Sequence, residues 1–159
     1  MFLLRPLRSA FPAILALGVA AASQAAEPLQ LQIYNPGEQA VFPVSSVIVS
    51  GPREAVLIDA QFQRNDAQAL VQKIRATGKT LRTIYISHSD PDYYFGLDVL
   101  QAAFPQAQIV ATPETVAAIQ ASKDGKRAYW KPILKENAPP APVAPVPLPQ
   151  RRPTVDGPG

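Results

Sequence analysis

Leucine and isoleucine alternate with glutamine over Leu29–Tyr34, placing Leu29, Leu31 and Ile33 on one side and Gln30 and Gln32 on the other. That period of two predicts a half-buried strand. Asn35-Pro36-Gly37 is a turn cluster, and the β-branched run Val41–Ser50 predicts a second strand, with Pro43 near its edge. Gly51-Pro52 closes it. Ala55–Ile58 is continuously apolar and ends in Asp59, the pattern of a strand covered on both faces.

The period then lengthens. Ala67, Leu70, Val71 and Ile74 recur at helical spacing, with Asn65 placed as N-cap and Gly78 following the end. Leu81–Ser87 returns to strand, Leu97, Leu100 and Phe104 predict a helix stopped by Pro105, and Gln108–Ala111 predicts a further strand. Thr112-Pro113-Glu114 opens a third helix with cap, N1 proline and first-turn acid in order, and Gly125 is expected to break or kink it. Tyr129, Trp130, Ile133 and Leu134 form an apolar stretch with no assigned structure. Strands first, then strand and helix in alternation, predict an α/β fold of the α+β layered kind, a mixed sheet with helices on one face.

Composition divides the chain into three parts. Residues 1–25 read as a signal peptide: Arg5 and Arg8, an uncharged apolar run over Phe11–Ala22, then Ser23-Gln24-Ala25 with small residues at the cleavage positions. The run is short of the roughly 20 residues of a membrane span, so export to a periplasm or beyond is expected, with no stable membrane insertion after cleavage; an uncleaved anchor is the alternative. Residues 26–137 hold the foldable domain. The tail, Ala138–Gly159, contains eight prolines and is expected to be extended and solvated, unable to build helix or sheet.

Charge removes one class of function. Without the two leader arginines the formal +3 becomes +1, and the basic residues make no stripe, so a nucleic-acid partner is not expected. There is no cysteine and a single histidine, His88, so a metal site must be built from His, Asp and Glu. His88 follows the strand Leu81–Ser87 directly, with Asp90, Asp92, Tyr93 and Tyr94 behind it. Strand ends are where α/β folds place chemistry, and a divalent cation would neutralise two acids packed beside an imidazole. Asp90-Pro91-Asp92 is equally a good helix start, and Tyr93-Tyr94-Phe95 can simply be packing.

The early strand pair, Ala55-Val56-Leu57-Ile58-Asp59 and the loop Ile86-Ser87-His88-Ser89-Asp90-Pro91-Asp92-Tyr93-Tyr94-Phe95-Gly96 together resemble the metallo-β-lactamase fold superfamily. The resemblance spans roughly Leu29–Leu134. The family's loop reads H-x-H-x-D-H and is followed by a glycine. His88 takes the first His and Asp92 the Asp; Asp90 stands at the second His, Tyr93 at the third, and Gly96 near the glycine. The resemblance implies a secreted metal-dependent hydrolase of a small-molecule substrate, with His88, Asp90 and Asp92 as metal ligands and Asp92 also catalytic. Asp59, Tyr93 and Gly96 would be in support. It implies one divalent ion at most: zinc, or Mn²⁺ or Fe²⁺ given the oxygen ligand at Asp90. No histidine follows His88. The length accommodates about half of the family's αββα sandwich, which leaves one sheet face without its partner and predicts a chain cut short. A non-catalytic binding relative, or a decayed fragment, is the competing expectation.

Overall fold

The computed structural model describes residues 27–149 and 155–156, so the expected signal peptide lies outside the described residues. Six strands form one mixed sheet in sequence order: β1 (Gln30–Tyr34), β2 (Ser46–Ser50), β3 (Glu54–Ile58), β4 (Thr80–Ile86), β5 (Gln108–Ala111) and β6 (Val146–Pro147). β1, β2 and β3 are antiparallel neighbours, and β3 through β6 run parallel. The helices are α1 (Arg64–Ala76), α2 (Pro91–Tyr94), α3 (Leu97–Ala103) and α4 (Pro113–Leu134). The α/β class with helices on one face is therefore as expected.

Helical spacing places Leu70, Val71 and Ile74 of α1 on the sheet, where they meet Ile48, Leu57, Ile84 and Ile86 from alternate strand positions. Leu97 and Leu100 of α3 and Val116 and Ile119 of α4 complete the core. Burying each such side chain contributes about 1.5–3 kcal/mol. The other face is different. Leu31 pairs with Val49 and Ile33 with Val47, and Leu29, Leu31 and Ile33 are 55%, 70% and 68% exposed. The alternation in β1 was read correctly, but its apolar side looks away from the helices and is not buried.

Several boundaries shift for local reasons. β2 begins at Ser46, not Val41: Val41 N–H donates to Gln63 Oε1, and Asn35 Nδ2 donates to Pro43 O and Ser45 Oγ. Those bonds take the segment out of the ladder. α1 starts two residues earlier than an Asn65 cap predicts, with extended Gln63 at the N-cap position. α4 passes through Gly125 without a break, because the helical bonds on either side outweigh one unfavourable propensity of about 1 kcal/mol. Its Thr112 cap is as expected, Thr112 Oγ1 accepting from Thr115 N–H.

The tail is the main correction. Val146 and Pro147 align with Val110 and Ala111, and Leu148 N–H donates to Ala111 O at 2.8 Å. Leu148 lines, with Val56, Ile58, Thr83, Tyr85 and Val110, a small apolar cleft on the second sheet face. Asp156 accepts from Arg53 N–H, and its own N–H donates to Glu54 Oε2. Proline is excluded from central strands, not from an edge, where only one side of the backbone needs donors.

Candidate active site

The loop begins where β3 and β4 end side by side. Parallel pairing sets Ile58 beside Tyr85, so Asp59 and Ser87 leave the sheet together. Asp59 takes a left-handed backbone, φ 65°, which aspartate tolerates better than most residues. Its N–H donates to Tyr85 O at 2.9 Å. The residue is only 6% exposed, and its carboxylate turns back under the loop: Oδ1 accepts from Ser87 N–H at 2.8 Å, and Ser87 Oγ lies 2.9 and 2.7 Å from the two carboxylate oxygens. Burial raises the Asp59 carboxyl above its ordinary range, against the pull of the Ser87 bonds and the His88 charge.

The next two residues tie the loop's far end. Ala60 N–H donates to Tyr93 O at 2.7 Å, and Gly96 N–H donates to Gln61 O at 2.9 Å. Gln61 also has positive φ, 72°, and anchors itself by donating from Nε2 to Val44 O and Ser46 Oγ. Gly96 separates α2 from α3; its N–H leaves the helical ladder for Gln61 O.

Within this frame His88 is exposed, with Nδ1 2.6 Å from Ser87 Oγ. The Tyr93 ring stacks on the imidazole at 4.4 Å between centroids and an interplanar angle of 29°. Asp92 is half-buried; burial first, then the negative charges of Asp90 and Asp59, raise its carboxyl, while its own backbone N–H and the His88 charge lower it. Tyr93 is raised too, by burial and by Asp92, Asp59 and Asp90, so the phenol stays neutral where the family would place a ligand.

Asp90 faces elsewhere. It occupies the N-cap position of α2 without a side-chain capping bond, so the helix-start reading holds for its backbone alone. Its Oδ1 lies 3.5 Å from Lys126 Nζ, and Lys126 donates to Ser89 O at 2.7 Å. Lys126 belongs to α4, thirty-seven residues from Ser89. An open cleft of about 380 Å³ lies here, lined by Phe42, Asp90–Tyr93, Lys126 and Trp130. Ser87 and Lys126 were missed in the sequence. Ser87 had a usable signal, a hydroxyl at the strand end between Asp59's partner strand and the only histidine; Lys126 had none, being one lysine among several on a long helix.

The predicted donors are thus only partly gathered. His88 and Asp92 sense each other, Asp59 is taken by Ser87, and Asp90 is paired with an ammonium. Among the described residues no group of three or more His, Asp or Glu could hold a metal ion. A catalytic zinc site takes three protein ligands, so the described residues do not by themselves fit such a centre.

One pH effect follows from the buried acids. Asp59, Asp66 and Asp92 are all raised, chiefly by burial. In the window above the ordinary aspartate value of about 3.9, the folded protein therefore binds more protons than the unfolded chain. Their joint contribution to stability is present below that window and is lost as pH rises through the raised values. Denaturant midpoints measured across the window should show Asp92→Asn losing part of this decline; an unchanged or steeper decline in the variant would contradict it.

Comparisons with known proteins place the chain in a family. The family model for the metallo-β-lactamase superfamily matches residues 40–159. The uncharacterized protein YobT of Bacillus subtilis (strain 168) is 32% identical over 71 residues, 45% of this chain and 30% of YobT. Among solved structures, a metallo-β-lactamase from Hirschia baltica aligns with TM-score 0.47 and 16% identity over 60% of this chain and 43% of its own. One from Cronobacter sakazakii aligns with TM-score 0.47 and 25% identity over 66% and 41%. The chain spans less than half the length of each of these relatives. With a match that takes in the strand-end aspartate, the His88–Asp92 loop and the proline-rich strand alike, the chain belongs to the metallo-β-lactamase superfamily.

Proposed function

We propose that this chain belongs to a secreted hydrolase acting on a small molecule, and that His88 and Asp92 are its contributions to a site for one divalent ion. The observation that carries the reading is the strand-end loop itself. A buried carboxylate in a left-handed turn and two cross-braces from Ala60 and Gly96 hold His88 and Asp92 near each other at the mouth of the fold. Such bracing is what a reactive loop requires and a plain connector does not. When bound, a divalent ion supplies a Lewis acid and an acidified water. The chain's own residues hold the loop, and the Phe42–Trp130 cleft offers an apolar wall beside Asp92, the two rings 5.3 Å apart. Export rests on the leader-like residues 1–25; among the described residues no helix is long and apolar enough to cross a membrane.

A second reading has its own support. Lys126 stands beside Asp90 with the charge that a cation would otherwise bring, which suits a member of the superfamily that binds a ligand without hydrolysing it. Metal analysis with melting curves separates the two. A hydrolase of this type should carry stoichiometric metal, lose it in His88→Ala, and melt lower in chelator. Ion at one hundred times its dissociation constant stabilises by about 2.7 kcal/mol. Absence of metal under zinc, manganese and iron supply, with a melt indifferent to chelator, would overturn the hydrolase reading and favour a non-catalytic relative.

A further inference from the structure

We propose that the outward face of the C-terminal half of α4, with Phe42 beside it, is a docking surface for an anionic lipid bilayer. Exposed apolar side chains gather in two places among the described residues. One is the sheet face already described. The other is here, where Val41, Phe42, Tyr129 and Ile133 are 42%, 40%, 69% and 49% exposed. Trp130 joins them, its ring 5.3 Å from Phe42 and 5.1 Å from Tyr129, each pair edge to face.

Helical spacing turns these residues into a surface. At 3.6 residues per turn, Val116, Ile119 and Leu134 form the buried side of α4. Tyr129 and Ile133, one turn apart, lie on one flank of that side, and Arg127 and Lys131 lie on the other. Between the flanks, exposed Gly125, Ala128 and Pro132 bring no charge.

Charge selects the partner. Residues 123–136 hold Lys123, Lys126, Arg127, Lys131 and Lys135 against Asp124 and Glu136, a net +3 that equals the formal charge of the whole chain. Lys126 is tied to Ser89 O and Arg127 to Pro139 O, while Lys131 and Lys135 stand exposed at the helix end. Protein interfaces are depleted in lysine. A helix resting on a bilayer instead combines tryptophan, tyrosine and aliphatic side chains with a lysine and arginine margin. The contact is adsorption at headgroup level, not insertion. Phe42 and Trp130 also line the loop cleft, so docking turns the mouth of the cleft toward the lipid. The surface depends on neither metal nor catalysis, and its failure would leave the hydrolase reading intact.

Trp130 is the only tryptophan in the chain and reports the contact directly. The chain from Ala26 is tested beside the full chain, because the apolar residues 1–25 could bind lipid by themselves. On phosphatidylcholine vesicles containing phosphatidylglycerol, Trp130 emission should shift to the blue and be quenched by brominated acyl chains. Binding should be far weaker on phosphatidylcholine alone and should fall as salt is raised. Lys131→Gln and Lys135→Gln should each weaken partitioning about fivefold, the equivalent of about 1 kcal/mol per basic residue at an anionic surface. Tyr129→Ser combined with Ile133→Ser should weaken it as well. Leu31→Ser combined with Ile33→Ser, on the sheet face, is the control and should bind like wild type. The proposal is overturned if the chain from Ala26 binds no vesicles, which would assign the patch to a protein partner, or binds both compositions equally. Loss of binding in the sheet-face variant, with binding kept in the α4 variants, would overturn it too.

Discussion

Gly96→Ala should destabilise the fold by about 3 kcal/mol, the upper end of what overpacking usually costs. The cause is space, not conformational freedom: φ at Gly96 is −74°, ordinary for any residue. A Cβ there would collide with Ala60 O and would lie 2.7 Å from Ala67 Cβ. Neither neighbour can give way. Ala60 is in the braced turn below the loop, and Ala67 is a core residue of α1 with no exposure. The strain would fall on the bond from Gly96 N–H to Gln61 O, so the loop and the helix end should loosen together. Gly125→Ala is the matched control, with nothing within 4 Å of its Cβ and a mid-helix setting; it should stabilise by about 0.8 kcal/mol. Urea midpoints of the two variants should move in opposite directions. A Gly96→Ala midpoint level with wild type would mean that the close approach is not maintained in solution.

Asp59→Ala should lose about 3 kcal/mol for a different reason. Two charge-assisted bonds to Ser87 disappear, leaving its half-buried N–H and hydroxyl to find water. Alanine at φ 65° adds about 1–2 kcal/mol of backbone strain. The desolvation that raises the Asp59 carboxyl is relieved at the same time, which keeps the total below the sum of the parts. Asp59→Asn retains hydrogen bonding and αL tolerance and should lose less than half as much. Equal losses in both variants would assign the whole effect to the charge and none to the backbone.

The fold was legible wherever a single period ran long enough. Ala67–Ile74 gave α1 and Thr112-Pro113-Glu114 gave the start of α4, because periodicity and capping are local. Misreadings came where distant bonds decided. Val41 looks like strand until its N–H is found on Gln63. At the site, His88 and Asp59 stood out by type and position, whereas the partners that set their chemistry did not. Lys126 reaches Asp90 only because α4 folds back over the loop, a contact that no spacing in the sequence encodes.

The proline-rich strand has one more consequence. Backbone N–H groups alternate sides along a strand, and Leu148 N–H points inward to Ala111. The positions that would point outward are 145, 147 and 149, and all three are proline. The outer rim of β6 therefore offers carbonyls and no donors, so another chain cannot zip onto it. At the opposite rim, β1 has no proline and keeps its outward N–H groups. Growth by strand addition needs two receptive rims per molecule, and this sheet has one. Among the described residues, strand addition through β1 therefore joins two copies and does not propagate through β6.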